Sequence, residues 1–150
     1  MQKSYSLLCA ATILSAAFTA RAQYINSSGG NSFIRQYVEQ SEDNWNKPII
    51  FVFYNNGPCE NCSQAMRMIY DVYQQYYADQ YSYFEIDYAE DGENQFAVDY
   101  DLFAPLSIVL VDVNDGMARG YEKIDNPQQW LDVPRFFEDK LTTRINNFFN

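Results

Sequence analysis

The sequence predicts an α/β domain of three layers, a mixed four-stranded sheet with helices on both faces. Three observations predict it. Short apolar runs of strand length alternate with stretches of helical period. One of those runs, Ile49 to Tyr54, is apolar without interruption, as a central strand covered on both faces should be. The last two strands flank Asn114-Asp115-Gly116, a tight-turn signal. Strands joined by helical crossovers run parallel and a hairpin runs antiparallel, so the sheet is mixed.

With 150 residues the chain has the length of one domain. Its start reads as an export signal. Lys3 supplies a short positive region, Leu7 to Phe18 is an apolar stretch, and Ala20-Arg21-Ala22 offers the small-x-small pattern of a cleavage site. The stretch is shorter than the ~20 apolar residues that cross a bilayer. The expectation is a signal peptide over residues 1–22, a mature domain over 23–150, and removal of Cys9 with the signal. Residues 24–31 are polar and rich in Gly and Ser, a lead-in rather than an element.

From Ser32, the spacing of Phe33, Ile34, Tyr37 and Val38 predicts a first helix. Pro48 opens the central strand, and Asn55-Asn56-Gly57-Pro58 turns the chain after it. A long amphipathic helix follows, with Cys62, Ala65 or Met66, Ile69, Val72 or Tyr73, and Tyr76 on its apolar face. Tyr81 to Asp87 is a second strand, and Asn94 to Asp99 a short helix. Ile108 to Val111 is the third strand and Met117 to Ile124 the fourth. Asp132 caps a last helix with Pro134 in its first turn and Phe137, Leu141, Ile145 and Phe148 as its buried stripe.

The formal charge is −10, and it becomes more negative when Lys3 and Arg21 leave with the signal. Such a surface repels nucleic acid and anionic lipid. No other segment is long and apolar enough to insert in a membrane after signal cleavage. An exported chain is secreted or periplasmic, where disulfides persist.

The mature chain keeps two cysteines, both in Cys59-Glu60-Asn61-Cys62. Two cysteines at this spacing beside a helix N-terminus can form a short disulfide ring, and the helix end stabilises a thiolate on the first sulfur. Cys59 is placed at or beside the N-cap with its sulfur exposed, and Cys62 one turn in and shielded. That asymmetry makes Cys59 the attacking thiolate and Cys62 the resolving one. The absence of histidine removes Ser-His-Asp and Cys-His catalysis, and two thiols fall short of a zinc site. Copper carried by the thiolates with Met66 and Met68 nearby is a competing reading, as is a purely structural disulfide, although so small a loop gains little by closure.

The order of elements, Gly57-Pro58-Cys59-Glu60-Asn61-Cys62 between a buried strand and a helix, and Ala104-Pro105 before the third strand resemble the thioredoxin superfamily. The similarity runs from Lys47 to Phe149. The resemblance implies a thioredoxin-like fold and thiol–disulfide exchange without a cofactor or metal. It implies protein thiols and disulfides as substrates and a redox partner protein. It also implies a cis Pro105 against the Cys pair, with Ala104 presenting its backbone to a substrate strand, so that Ala104 and Pro105 are substrate-binding.

Pro58 departs from the family's Trp, Glu60-Asn61 from its Gly-Pro, and Phe53 stands where the family carries a buried acid, six residues before the first Cys. Glu60 sets a carboxylate beside the Cys59 thiolate and tunes its pKa upward. Less thiolate stabilisation favours the disulfide and makes the couple reducing, reductant- or isomerase-like. The competing reading from another class is a non-catalytic binding module. Its surface would be built from the tyrosines crowding positions 70–100: Tyr70, Tyr73, Tyr76, Tyr77, Tyr81, Tyr83, Tyr88 and Tyr100.

Overall fold

The apolar run after Pro48 becomes the middle of the sheet. In the computed structural model, which describes residues 46–90 and 94–150, that run is β1 (Ile49–Tyr54). The export signal, the lead-in and the expected helix around Phe33 to Val38 lie outside the described residues. After β1 come α1 (Cys62–Tyr76), β2 (Ser82–Asp87), α2 (Asn94–Asp99), β3 (Leu106–Asn114) and β4 (Met117–Asp125). A 3₁₀ turn (Pro127–Trp130) and α3 (Pro134–Phe149) complete the chain.

The sheet order is β2-β1-β3-β4, with β1 parallel to β2, antiparallel to β3, and β3 antiparallel to β4. The sheet is mixed, but only β1–α1–β2 is the expected parallel crossover. Strand β3 re-enters at the end where β2 leaves, with Leu106 opposite Tyr54, and runs antiparallel to β1. Six-residue α2, about 9 Å long, does not carry the chain back along the sheet. Asp115 and Gly116 take φ of 52° and 71° at the β3–β4 turn, the positive pair that a two-residue hairpin uses to match strand twist. Strand β3 starts at Leu106 and ends at Asn114, longer than the apolar run alone indicates, because its last residues pair with β4 past a bulge at Asp112/Val113.

Alternation along β1 divides the core in two. Ile49, Phe51 and Phe53 join Ile86, Phe96, Tyr100 and Val109 on one face, which α2 covers. Ile50 and Val52 join Ala65 and Ile69 of α1, Leu106 and Ile108 of β3, and Phe137, Leu141 and Ile145 of α3 on the other. Ala65, Ile69 and Val72 of the stripe read for α1 and Phe137, Leu141 and Ile145 of that for α3 are buried, and Cys62 and Phe148 are half-buried. Tyr76 at the end of α1 is exposed instead, its hydroxyl donating to Glu138.

One helix start differs from the expectation. The N-cap of α3 is Val133, not Asp132, and no side chain caps it. Proline disfavours helical backbone in the residue before it, and Val133 is accordingly extended at φ −133° and ψ 101°. Helical geometry can begin only at Pro134, which leaves Asp132 a residue too early.

Candidate active site

Strands β1 and β2 run in the same direction and end at one edge of the sheet, with Tyr54 opposite Asp87. In open α/β sheets that edge is where sites form, because the loops that follow the strands converge there. The loop after β1 carries Cys59 and Cys62, which are joined as a disulfide with Cα atoms 5.6 Å apart. Both are half-buried. Cys62 opens α1 and packs against the α1/α3 side of the core, together with Met66 and Met68. Cys59 has no place in that cluster and belongs to the loop.

Helix α1 begins later than the sequence suggests. Its N-cap is Asn61, in the left-handed region at φ 66° and ψ 5°, and the Asn61 carbonyl accepts the Ala65 N–H at 2.9 Å. Cys59 thus lies two residues before the cap, not at it. The physical reason is the sharp reversal at Asn61, a residue that tolerates left-handed backbone. Replacing Asn61 by Val should cost about 1–2 kcal/mol relative to Asn61→Gly. Urea unfolding of the two variants measures this, and equal midpoints would contradict the backbone assignment.

The loop is tied to its surroundings on three sides. The Asn55 side-chain amide donates to the Tyr88 hydroxyl at 2.7 Å, and that hydroxyl donates to the Ala104 carbonyl at 2.8 Å. The Asn55 backbone N–H donates to the Pro105 carbonyl at 3.2 Å, and the Asn55 carbonyl oxygen of the side chain accepts the Gly57 N–H at 3.0 Å. Asn56 donates to the buried Asp87 carboxylate, whose other oxygen accepts the Ala89 N–H at 3.0 Å. Gly57 has no room for a side chain in this arrangement, since a Cβ would sit 2.8 Å from Asn55 Oδ1. Burial and the nearby Asp87 carboxylate raise the Tyr54 pKa, so Tyr54 stays neutral at this edge.

Among solved structures the chain is similar to thioredoxin from Fasciola hepatica, with a TM-score of 0.52 and 15% identity over 77% of this chain and 91% of that one. It is also similar to thioredoxin O2 from Arabidopsis thaliana in its oxidised state, with a TM-score of 0.50 and 12% identity over 80% of this chain and 90% of that one. The fold is that of thioredoxin. No protein-family model matches the sequence, and no curated protein is detectably similar to it. The likeness is one of fold, so the chemistry rests on the chain's own residues.

On this thioredoxin fold the structure brings Cys59, Glu60, Cys62, Ala104 and Pro105 to one edge, the first three directly after β1 and the last two linked to Asn55. Two features differ from what the resemblance implies. The Ala104–Pro105 bond is trans, as is every peptide bond among the described residues. The trans isomer of an X–Pro bond is favoured by about 0.5–1 kcal/mol unless contacts demand the other. The Ala104 carbonyl also turns inward to the Tyr88 hydroxyl, and Ala104 is buried, so that carbonyl is not offered to an incoming strand.

Phe53, at the position of the family's acid, is fully buried between Phe51, Phe96 and Tyr100, with ring centroids 5.3, 5.0 and 5.7 Å away. It belongs to the aromatic half of the core, on the face of β1 away from the cluster that Cys62 joins. Of the crowded tyrosines, Tyr77, Tyr88 and Tyr100 are buried, while Tyr70 and Tyr76 are exposed. The three buried ones are core residues, while Tyr70 packs with half-buried Tyr73 and Tyr83 into one ring cluster on the α1 side.

Sequence reasoning missed Asn55, Asn56, Asp87 and Tyr88 as parts of the site. The available signal was positional: each lies at the last residue of, or within two residues after, one of two parallel strands that end at the same edge.

Proposed function

We propose that this protein is an exported thiol–disulfide oxidoreductase acting on protein thiols and disulfides through Cys59 and Cys62. The observation that carries this reading is the Cys59–Cys62 disulfide at the start of α1, on a thioredoxin fold, with the loop hydrogen-bonded to Pro105. In the reduced protein the Cys59 thiolate attacks one sulfur of a substrate disulfide. A Cys59–substrate bond forms, and the other substrate sulfur leaves as a thiolate and takes a proton. The Cys62 thiolate then attacks Cys59, closes the intramolecular disulfide and releases the second substrate sulfur as a thiol. Two electrons pass to the substrate, and a partner dithiol protein restores the pair. When a thiolate of the same substrate attacks the mixed disulfide in place of Cys62, a new substrate disulfide forms, Cys59 leaves as a thiolate, and the outcome is isomerisation with no net electron flow.

The carboxylate of Glu60 next to Cys59 favours the disulfide form and supports a reductant- or isomerase-like role. Lys3, the apolar stretch from Leu7 and the Ala20-Arg21-Ala22 pattern support a secreted or periplasmic location. The chemistry requires no cofactor.

Trapping with Cys62→Ala tests the reading. The variant should accumulate substrate proteins on Cys59 as mixed disulfides that dithiothreitol releases, and the wild-type pair should titrate reversibly in glutathione buffers. A pair that neither titrates nor captures anything would identify an inert structural disulfide and leave the binding-module reading in its place.

A further inference from the structure

The hydroxyl of Tyr88 links three segments that are remote in sequence, and nothing in the exchange chemistry of the cysteines calls for it. Tyr88 follows β2 directly, its ring is buried with the aromatic half of the core, and its N–H donates to the Tyr54 carbonyl at 3.0 Å. Ring and backbone are thus fixed, and the hydroxyl is held at one point. It uses both its capacities there, accepting from Asn55 and donating to Ala104. Asn55 closes the ring by donating its own N–H to the Pro105 carbonyl. Through its side-chain oxygen Asn55 also holds the Gly57 N–H, two residues before Cys59.

We propose that Tyr88 is a positioning residue that sets the distance between the Cys59 loop and the Ala104–Pro105 loop, and thereby selects folded protein disulfides over small ones. This inference rests on the thiol–disulfide reading above. Attack at sulfur runs along the axis of the bond being broken, so the attacking and attacked atoms must be aligned. A protein substrate is held by the surface on both sides of Cys59 and can align only if the two loops keep a fixed separation. A small disulfide touches little beyond the sulfur and aligns itself. Misplacement of reacting groups by about 1 Å can cost as much as ~10²-fold in rate. Loss of one hydroxyl from a closed ring permits a fraction of that movement.

Tyr88→Phe keeps the ring and removes the hydroxyl. With insulin as the protein disulfide, kcat/KM should fall about tenfold. With oxidised glutathione as the small disulfide, the rate should stay within about twofold, and the midpoint of the Cys59–Cys62 couple in glutathione buffers should not move. Because Tyr88 and Asn55 belong to one ring, the double variant Tyr88→Phe/Asn55→Ala should lose no more on insulin than Asn55→Ala alone.

Equal activity of Tyr88→Phe and wild type on insulin would overturn the proposal. So would an equal loss on both substrates, which would place Tyr88 behind the cysteines' own chemistry or behind folding. If the wild-type protein reduces neither substrate, the thiol–disulfide reading fails. The clamp is then read separately from amide hydrogen exchange: faster exchange at Asn55 and Gly57 in Tyr88→Phe sustains it, and unchanged exchange overturns it.

Discussion

Phe53→Asp, which supplies the buried acid that the family resemblance implies at this position, should unfold the domain instead of improving catalysis. Phe53 is wholly buried and meets the rings of Phe51, Phe96 and Tyr100. Truncating a buried Phe to Ala costs about 3–5 kcal/mol through lost transfer energy and the cavity left behind. An Asp leaves the same cavity and adds the desolvation of a carboxyl among aromatic rings. A domain holds about 5–15 kcal/mol in total, so most or all of its stability is lost. Phe53→Leu keeps the position apolar and should lose about 1–2 kcal/mol. Urea unfolding followed by far-ultraviolet circular dichroism separates the three proteins. A Phe53→Asp variant that unfolds at the wild-type midpoint and exchanges disulfides faster would show that the position is a vacant acid site. On the present packing it is a wall of the core.

That contrast shows what a sequence reveals and what it conceals. The element order was legible because each element is written in local periodicity: the uninterrupted apolar run of β1, the period of α1 and α3, and the positive-φ turn at Asp115-Gly116. The Cys pair was legible because two thiols at close spacing are rare and have few uses. The collar around it was not. Asn55 reads as one more turn residue and Tyr88 as one more tyrosine in a crowded stretch. Their meeting depends on the parallel register that sets Tyr54 opposite Asp87 and brings the two following loops together. The start of α1 was misplaced by a similar mechanism, because the left-handed backbone at Asn61 depends on the conformation of the whole loop. The inward turn of the Ala104 carbonyl follows from the buried hydroxyl of Tyr88, a contact across 16 positions that periodicity does not encode.

The buried and half-buried tyrosines set a limit on alkaline stability. Burial is the first cause of the upward pKa shifts of Tyr54, Tyr73, Tyr77, Tyr81, Tyr83 and Tyr100. Tyr83 is also held neutral by the Glu85 carboxylate to which its hydroxyl donates. For an acid whose folded pKa lies above its unfolded value of 10.0, the folded state binds more protons over the interval between the two. The stability this contributes is complete below pH 10 and declines as the pH rises toward the folded values. Several shifts in one direction add, so unfolding above pH 10 should be steep. Tyr83 and Tyr100 carry the largest shifts, and Tyr100 is the more deeply buried, 2% exposed with a hydroxyl that has no hydrogen-bond partner among the described residues. Its ionisation inside an aromatic cluster is incompatible with the packed core. Tyr100→Phe should move alkaline unfolding to higher pH. It should also be neutral or stabilising by about 1 kcal/mol near neutral pH, because it removes an unsatisfied buried group. Tyrosinate absorbance and circular dichroism recorded along one pH titration test both statements. If all the tyrosines ionised near pH 10 while the circular dichroism stayed native, the buried phenols would not be what limits the fold in alkali.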